Sequence, residues 1–239
     1  LTVNKRLVLP LVLITLSAAF YGGMVFYTEQ TTTNARAEAE MVYQSLRDSV
    51  ASQVRQSERH LRELAEDPGV LTADPRKCGK PLAEMLERHR KIHDVFLRVR
   101  ADGILDCTPK GGSEGIDFSE RLYYRKAVET KEFVIGEFLI GKVSKEPVLA
   151  VSLPVLDANG EVAMVLAAGL KTDWLQDIIE QHTPSRNLVV EIEDSRGTLM
   201  SYFIHGQSVE PGSDAKLELI RLPLFPGQSD AQVVIYEQT

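Results

Sequence analysis

FVIGEFLIGKVSKEPVLAVSLPVLDANGEVAMVLAAGL, residues 133–170, decides the fold. It reads as three largely apolar strands in a row, 133–140, 148–155 and 161–170. Asp157-Ala158-Asn159-Gly160 joins the last two and is a turn sequence. Just upstream, residues 121–130 predict a short helix of polar and aromatic residues. Earlier still, Val95, Leu97 and Val99 alternate with Phe96, Arg98 and Arg100, Ala101-Asp102-Gly103 turns the chain, and 104–107 brings it back as a hairpin. A hairpin, a helix and three antiparallel strands make an α+β unit, a five-stranded antiparallel sheet with flanking helices.

Working outward, residues 81–91 predict a helix with Leu82, Met85, Leu86 and His89 on one side. Between 29 and 66 there is neither Pro nor Gly, and Val42, Leu46, Val50, Val54, Leu61 and Leu64 recur at intervals of three, four and seven. That pattern is a long amphipathic helix, a stalk of roughly 55 Å, ended by Asp67-Pro68-Gly69. Toward the C-terminus, 172–181 predicts a helix with Trp174 as a packing anchor. Residues 188–193, the turn Asp194-Ser195-Arg196-Gly197 and 198–203 then repeat the earlier hairpin pattern. This suggests a second, smaller copy of the module. Pro211, Gly212, Pro223, Pro226 and Gly227 break the tail into loops with one last strand, 232–236. The organisation expected is thus 1–28, 29–66, 67–183 and 184–239.

Residues 7–27 are 21 positions without a charge, preceded by Lys5 and Arg6. At about 1.5 Å per residue they match a bilayer core of roughly 30 Å, and the flanking basic residues place the N-terminus in the cytoplasm. Phe20, Tyr21, Phe26 and Tyr27 would form the outer aromatic belt. The competing reading is a signal peptide cut after Ser17-Ala18-Ala19. Residues 1–27 hold two of the 27 basic residues and none of the 34 acids, so the remainder carries a net charge of −9. Nucleic acid is therefore not an expected partner. Cys78 and Cys107 are the only cysteines. An even count in an extracytoplasmic chain predicts that they join, the alternative being two unlinked core residues. Residues 110–115 are glycine-rich, but their spacing is not that of a phosphate-binding loop.

Arg121-Leu122-Tyr123-Tyr124-Arg125-Lys126-Ala127 resembles the Arg-x-aromatic-Tyr-x-x-Ala signature of the double-Cache (dCache, PDC-type, PAS-like) extracytoplasmic sensors of bacterial receptors. Gly141 with 147–154 resembles that family's strand pair ending in Pro-Val, and 165–175, closing in Asp173-Trp174-Leu175, its last strand and exit helix. The cysteine pair also sits where many such sensors carry one. The resemblance covers roughly 28–181. It implies a ligand-sensing module of a histidine kinase, diguanylate cyclase or chemoreceptor, with a small-molecule pocket in the membrane-distal lobe. Family members that bind amino acids place Arg, Trp and Tyr at Arg121, Tyr123 and Tyr124. They also use a Tyr at the position of Ile116 and an Asp near Gly169. Without that acid to meet an ammonium group, the implied ligand is a simple carboxylate or another small polar molecule.

The candidate ligand-binding residues are Arg121, Tyr123 and Tyr124, with Lys142 and Lys145, in the turn between two strands, as secondary candidates for an anionic ligand. A guanidinium offers a carboxylate a planar fork; the competing role for Arg121 is an ion pair with Glu120 or Glu129. His89 and His93 lie four apart, a metal-ligand spacing, but no third ligand is nearby in sequence, so neither metal nor cofactor is expected. No nucleophile elbow or acid/base pair emerges, so the chain reads as a non-enzyme. The leading reading is a membrane-anchored sensor, dimerising through its stalk and forming the sensing end of a longer receptor. A pilin-like surface subunit would share the pattern of the first 66 residues, but such chains carry a Glu within the apolar helix and none occurs before Glu29. The third reading is a secreted periplasmic binding protein released by cleavage after Ala19.

Overall fold

The computed structural model describes residues 5–72, 74–173, 177–178, 181, 188–194, 197, 199–204, 216–225 and 231–238. Helix α1 (Lys5–Glu66) is continuous from the apolar run through the segment expected as a stalk. Apart from Tyr21, the side chains of residues 5–33 lie outside the described set. Among the described residues no helix is long and apolar enough to cross a membrane. Asp67 stops α1 and caps α2 (Pro68–Leu71), its carboxylate accepting from the amides of Gly69 and Val70. Asp74 caps α3 (Pro75–His89) in the same way. The expected start of α3 at 81 is thus corrected to 75. Asp followed by Pro is a strong helix start, and Pro81 is carried inside the helix.

Strands β1 (His93–Arg100), β2 (Leu105–Cys107), β3 (Val134–Ile140), β4 (Pro147–Leu156) and β5 (Val162–Lys171) form the expected antiparallel sheet, in the order β2-β1-β5-β4-β3. Helix α4 (Leu122–Thr130) crosses one face. Both faces are covered, so the strands read as nearly continuous apolar runs. On one side Val95, Leu97, Val99, Val165 and Ala167 pack under Tyr123, Tyr124 and Ala127 of α4. On the other, Phe96, Leu149, Val151, Leu166 and Leu170 join the stripe of α1.

Strands β6 (Leu188–Glu193), β7 (Leu199–Ile204), β8 (Lys216–Pro223) and β9 (Gln232–Gln238) form a second antiparallel sheet, order β7-β6-β9-β8. Here the tail departs from expectation, because β8 occupies a stretch expected to be loop. It is an edge strand ending on Pro223, the setting in which a sheet tolerates proline. Val190, Ile192, Ile220, Val233 and Ile235 bury against the same helix. Its earlier turns include Tyr43, whose hydroxyl donates to Pro223 O at 2.8 Å. One apolar stripe on α1, from Ala39 to Leu64, therefore serves both sheets. Much of the helix expected over 172–181, Trp174 included, lies outside the described residues.

A disulfide and a buried, ion-paired arginine tie α3 and α2 to the first sheet. Cys78 in α3 is disulfide-bonded to Cys107 at the end of β2, with Cα atoms 6.3 Å apart. Arg98, 2% exposed, is clamped by Asp106 and by the backbone carbonyls of Val70 in α2 and Thr72 just after it.

Candidate functional site

The approach to α4 is built by local chemistry. Asp117 accepts from the Ser119 amide at 2.7 Å, and the Phe118 amide donates to Gly103 O at 2.8 Å. Gly103 has φ +86, and a Cβ there would fall 2.7 Å from Ser119 Cβ. Both the conformation and the closeness require glycine. The docked loop delivers Arg121 to the N-cap position of α4, immediately beside β3.

Arg121, Tyr123 and Lys142 line one cavity over the sheet, with Val95 and Leu97 as a wall and Ala150, Ala167 and Gly169 as a floor of small residues. Tyr123 is 3% exposed, and burial pushes its hydroxyl ionisation well above the usual range. Gly136 admits it, since a Cβ there would meet Tyr123 Cβ at 2.7 Å. Arg121 spends one nitrogen weakly, Nη2 to Ile140 O at 3.4 Å. Its Nε is buried without a hydrogen bond, and the Glu120 carboxylate stands 3.9 Å away. Lys142 donates to Asp117 O and pairs with the same Glu120 oxygen. That hydrogen bond from Lys142, above all, holds the Glu120 carboxyl below its ordinary range.

Two cations thus share one exposed carboxylate at the cavity mouth, while no carboxylate lines the cavity itself among the described residues. The arrangement suits an anion. Its room is about 20 Å³, enough for about one water, so a larger ligand enters only if the lining opens.

Tyr124 goes elsewhere. Its hydroxyl donates to Arg100 O and Ala101 O at 3.1 and 2.9 Å, pinning the β1–β2 turn from the face of α4 next to the cavity. Of Arg121, Tyr123, Tyr124 and Lys142, three share the cavity and Tyr124 supports it. The small-residue floor was missed at the sequence level. Its signal was Ala167-Ala168-Gly169 interrupting an otherwise bulky strand.

His89 and His93 acquire a third imidazole from α1. His60 Nδ1 lies 3.0 Å from His93 Nε2, and the His60 ring stacks on His89 at 3.7 Å. Among the described residues no group of three His, Cys, Asp or Glu side chains is arranged to hold a metal ion. The three rings join α1, the end of α3 and the start of β1. Burial, then the neighbouring imidazoles, pulls His60 down to about 4 and His93 to about 3 from an ordinary 6.5. Glu63 opposes that shift at His60, and Arg59 and Arg88 add to it.

Because the folded chain binds these protons less readily than the unfolded chain, their contribution is intact above pH 6.5. It is lost as pH falls toward 4, by up to about 1.4 kcal/mol per pH unit for each histidine. Urea titrations at pH 7 and pH 5 should show this loss, and His60→Gln with His93→Gln should reduce it. An unchanged pH slope in the double variant would remove the cluster as its cause.

No family model matches the chain. In fold it resembles solved ligand-binding domains of bacterial receptors. It superposes on the ligand-binding domain of the Campylobacter jejuni chemoreceptor Tlp3 in complex with 4-methylisoleucine, with a TM-score of 0.64 and 14% identity, covering 88% of this chain and 91% of that one. The ligand-binding domain of the Pseudomonas aeruginosa PAO1 amino acid chemoreceptor PctC, in complex with GABA, gives a TM-score of 0.59 at 16% identity, covering 88% of this chain and all of the other. In sequence the chain is 22% identical over 207 residues to sporulation kinase D of Bacillus subtilis (strain 168), which matches 85% of this chain. The chain spans 39% of that kinase's length. These structural neighbours are ligand-binding sensor domains rather than catalytic ones.

Proposed function

We propose that this chain is the extracytoplasmic ligand-sensing region of a bacterial transmembrane receptor of the double-Cache type, and that it takes a small carboxylate in the cavity beside Arg121. The observation that carries this is the buried, unbonded Nε of Arg121 at the cavity wall, next to Lys142. Residues 7–27 cross the inner membrane, 29–66 form the stalk through which two copies pair, 67–183 form the membrane-distal module and 184–239 the proximal one. Everything after residue 28 then lies in the periplasm. A ligand that draws Arg121 and Lys142 inward would displace the sheet, and α1 lies on the opposite face of that sheet. Such a signal requires the ligand to favour one arrangement of sheet and helix over another. The likeness to sporulation kinase D supports a kinase output beyond the chain.

The test is a thermal-shift screen against organic acids, amino acids, amines and nucleobases. A ligand at 100 times its Kd should stabilise the chain by about 2.7 kcal/mol. Arg121→Ala should weaken a carboxylate hit by about 1.5–3 kcal/mol, roughly 10- to 150-fold in Kd. Lys142→Ala should cost less, because Glu120 and the Asp117 carbonyl already occupy its ammonium. If hits bind Arg121→Ala as well as the parent chain, the site is elsewhere.

A further inference from the structure

A larger cleft lies where α1 passes between the two sheets. It has a volume of about 330 Å³, within the range that accommodates small ligands. Its floor is apolar, with Val54 of α1, Phe133 before the edge strand β3 and Phe225 after the edge strand β8. Its rim is polar, formed by Arg47, Arg55 and Glu58 of α1.

The charges at this rim do not cancel. Arg62 grips the Glu58 carboxylate, Nε at 3.0 Å and Nη2 at 2.6 Å, so that acid is already answered. Among the described residues Arg47 pairs only with its exposed neighbour Asp48, at 3.7 Å, a kind of pair that holds little. Arg55 is exposed and makes no ion pair among the described residues. The two arginines are eight residues apart on one helix, about 12 Å along its axis. Ala51, small enough to leave the space open, sits between them.

We propose that this cleft is a second small-molecule site, distinct from the cavity at Arg121, and that it binds an organic carboxylate with an apolar body. Each part of the site selects one part of that ligand. A guanidinium fork meets a carboxylate with two charge-assisted hydrogen bonds, and the aromatic and branched floor removes an apolar body from water. An amine would meet two cations, and a neutral apolar molecule would leave the arginines unused. A ligand here touches α1, the edge of the first sheet and the end of β8 together, so it bears on how the helix seats against both sheets.

The experiment is a calorimetric titration of the 239-residue chain with 3-phenylpropionate and with its neutral amide, 3-phenylpropanamide. The acid should bind about tenfold or more tightly than the amide, and Arg55→Gln should weaken it by a similar factor. Ala51→Trp, which fills the cleft, should abolish binding, and Arg121→Ala should leave it unchanged. Arg55 is exposed, so Arg55→Gln still discriminates even if Ala51→Trp fails to fold. The proposal is overturned by absence of saturable binding, by equal affinity for acid and amide, or by loss in Arg121→Ala with retention in Arg55→Gln. It is equally overturned if the acid does not bind and sedimentation shows Ala51→Trp splitting a dimer, for then a second copy of the chain fills the cleft.

Discussion

Arg98→Met should destabilise the folded chain by about 3–5 kcal/mol, read as a lower urea midpoint with an unchanged slope. The guanidinium is 2% exposed and sits between β1 and α2. Its Nε and Nη2 each donate to Asp106 at 3.0 Å, and its Nη1 donates to Val70 O and Thr72 O at 2.6 and 2.7 Å. Removing it leaves a largely buried carboxylate and two carbonyls without their donor, and the desolvation of all three is uncompensated. The methionine fills most of the volume, so the loss reports polar groups rather than a cavity. Arg98→Met with Asp106→Leu should recover part of it, since an apolar replacement of both partners leaves no orphaned charge. If the double variant is less stable than the single, the ion pair is not the origin of the effect.

Converting Cys78 and Cys107 to Ala should cost about 3–4 kcal/mol, the chain-entropy value for a closed loop of about 30 residues. Both sulfurs are buried, so some packing loss is added. The measurement is the same urea titration on oxidised and reduced parent protein beside the double alanine variant. Equal midpoints for oxidised and reduced parent would refute the expectation. Cys107 follows Asp106, and Cys78 lies in α3, which packs on α2, so the disulfide and the Arg98 clamp fasten the same pair of helices to the same hairpin. Their losses should therefore not add.

The sheet was legible because its strands carry their own chemistry. Apolar runs, the Asp157–Gly160 turn and the hairpin at Gly103 left one antiparallel arrangement, and the observed pairing of β1 with β5 joins the hairpin to the rest. Proline misleads at two places, for a shared reason. A proline in a sequence says that an amide is missing, not whether that amide had anything to bond. At Pro75 the missing amide belongs to a helix start, and at Pro223 to the end of an edge strand, so neither breaks an element.

The site was half legible. Arg121 and Lys142 declare themselves by charge. Tyr123 and Tyr124, neighbours on a helix, point about 100° apart, and only the packing of α4 on the sheet decides which faces the cavity. Long-range partnerships such as His60 with His93, 33 residues apart, have no local signal at all.

One consequence of the shared stripe on α1 concerns length rather than strength. From Ala39 to Leu64 the same helical face addresses first one sheet and then the other, so the residue count between them is a fixed phase. One residue inserted near Ser52 would turn everything beyond it by about 100° and point the wrong side chains at one of the sheets. Seven would restore the facing to within about 20° yet slide the sheets apart by roughly 10 Å. The helix is a ruler as much as a rod, and the spacing of the two sheets is written in its turns.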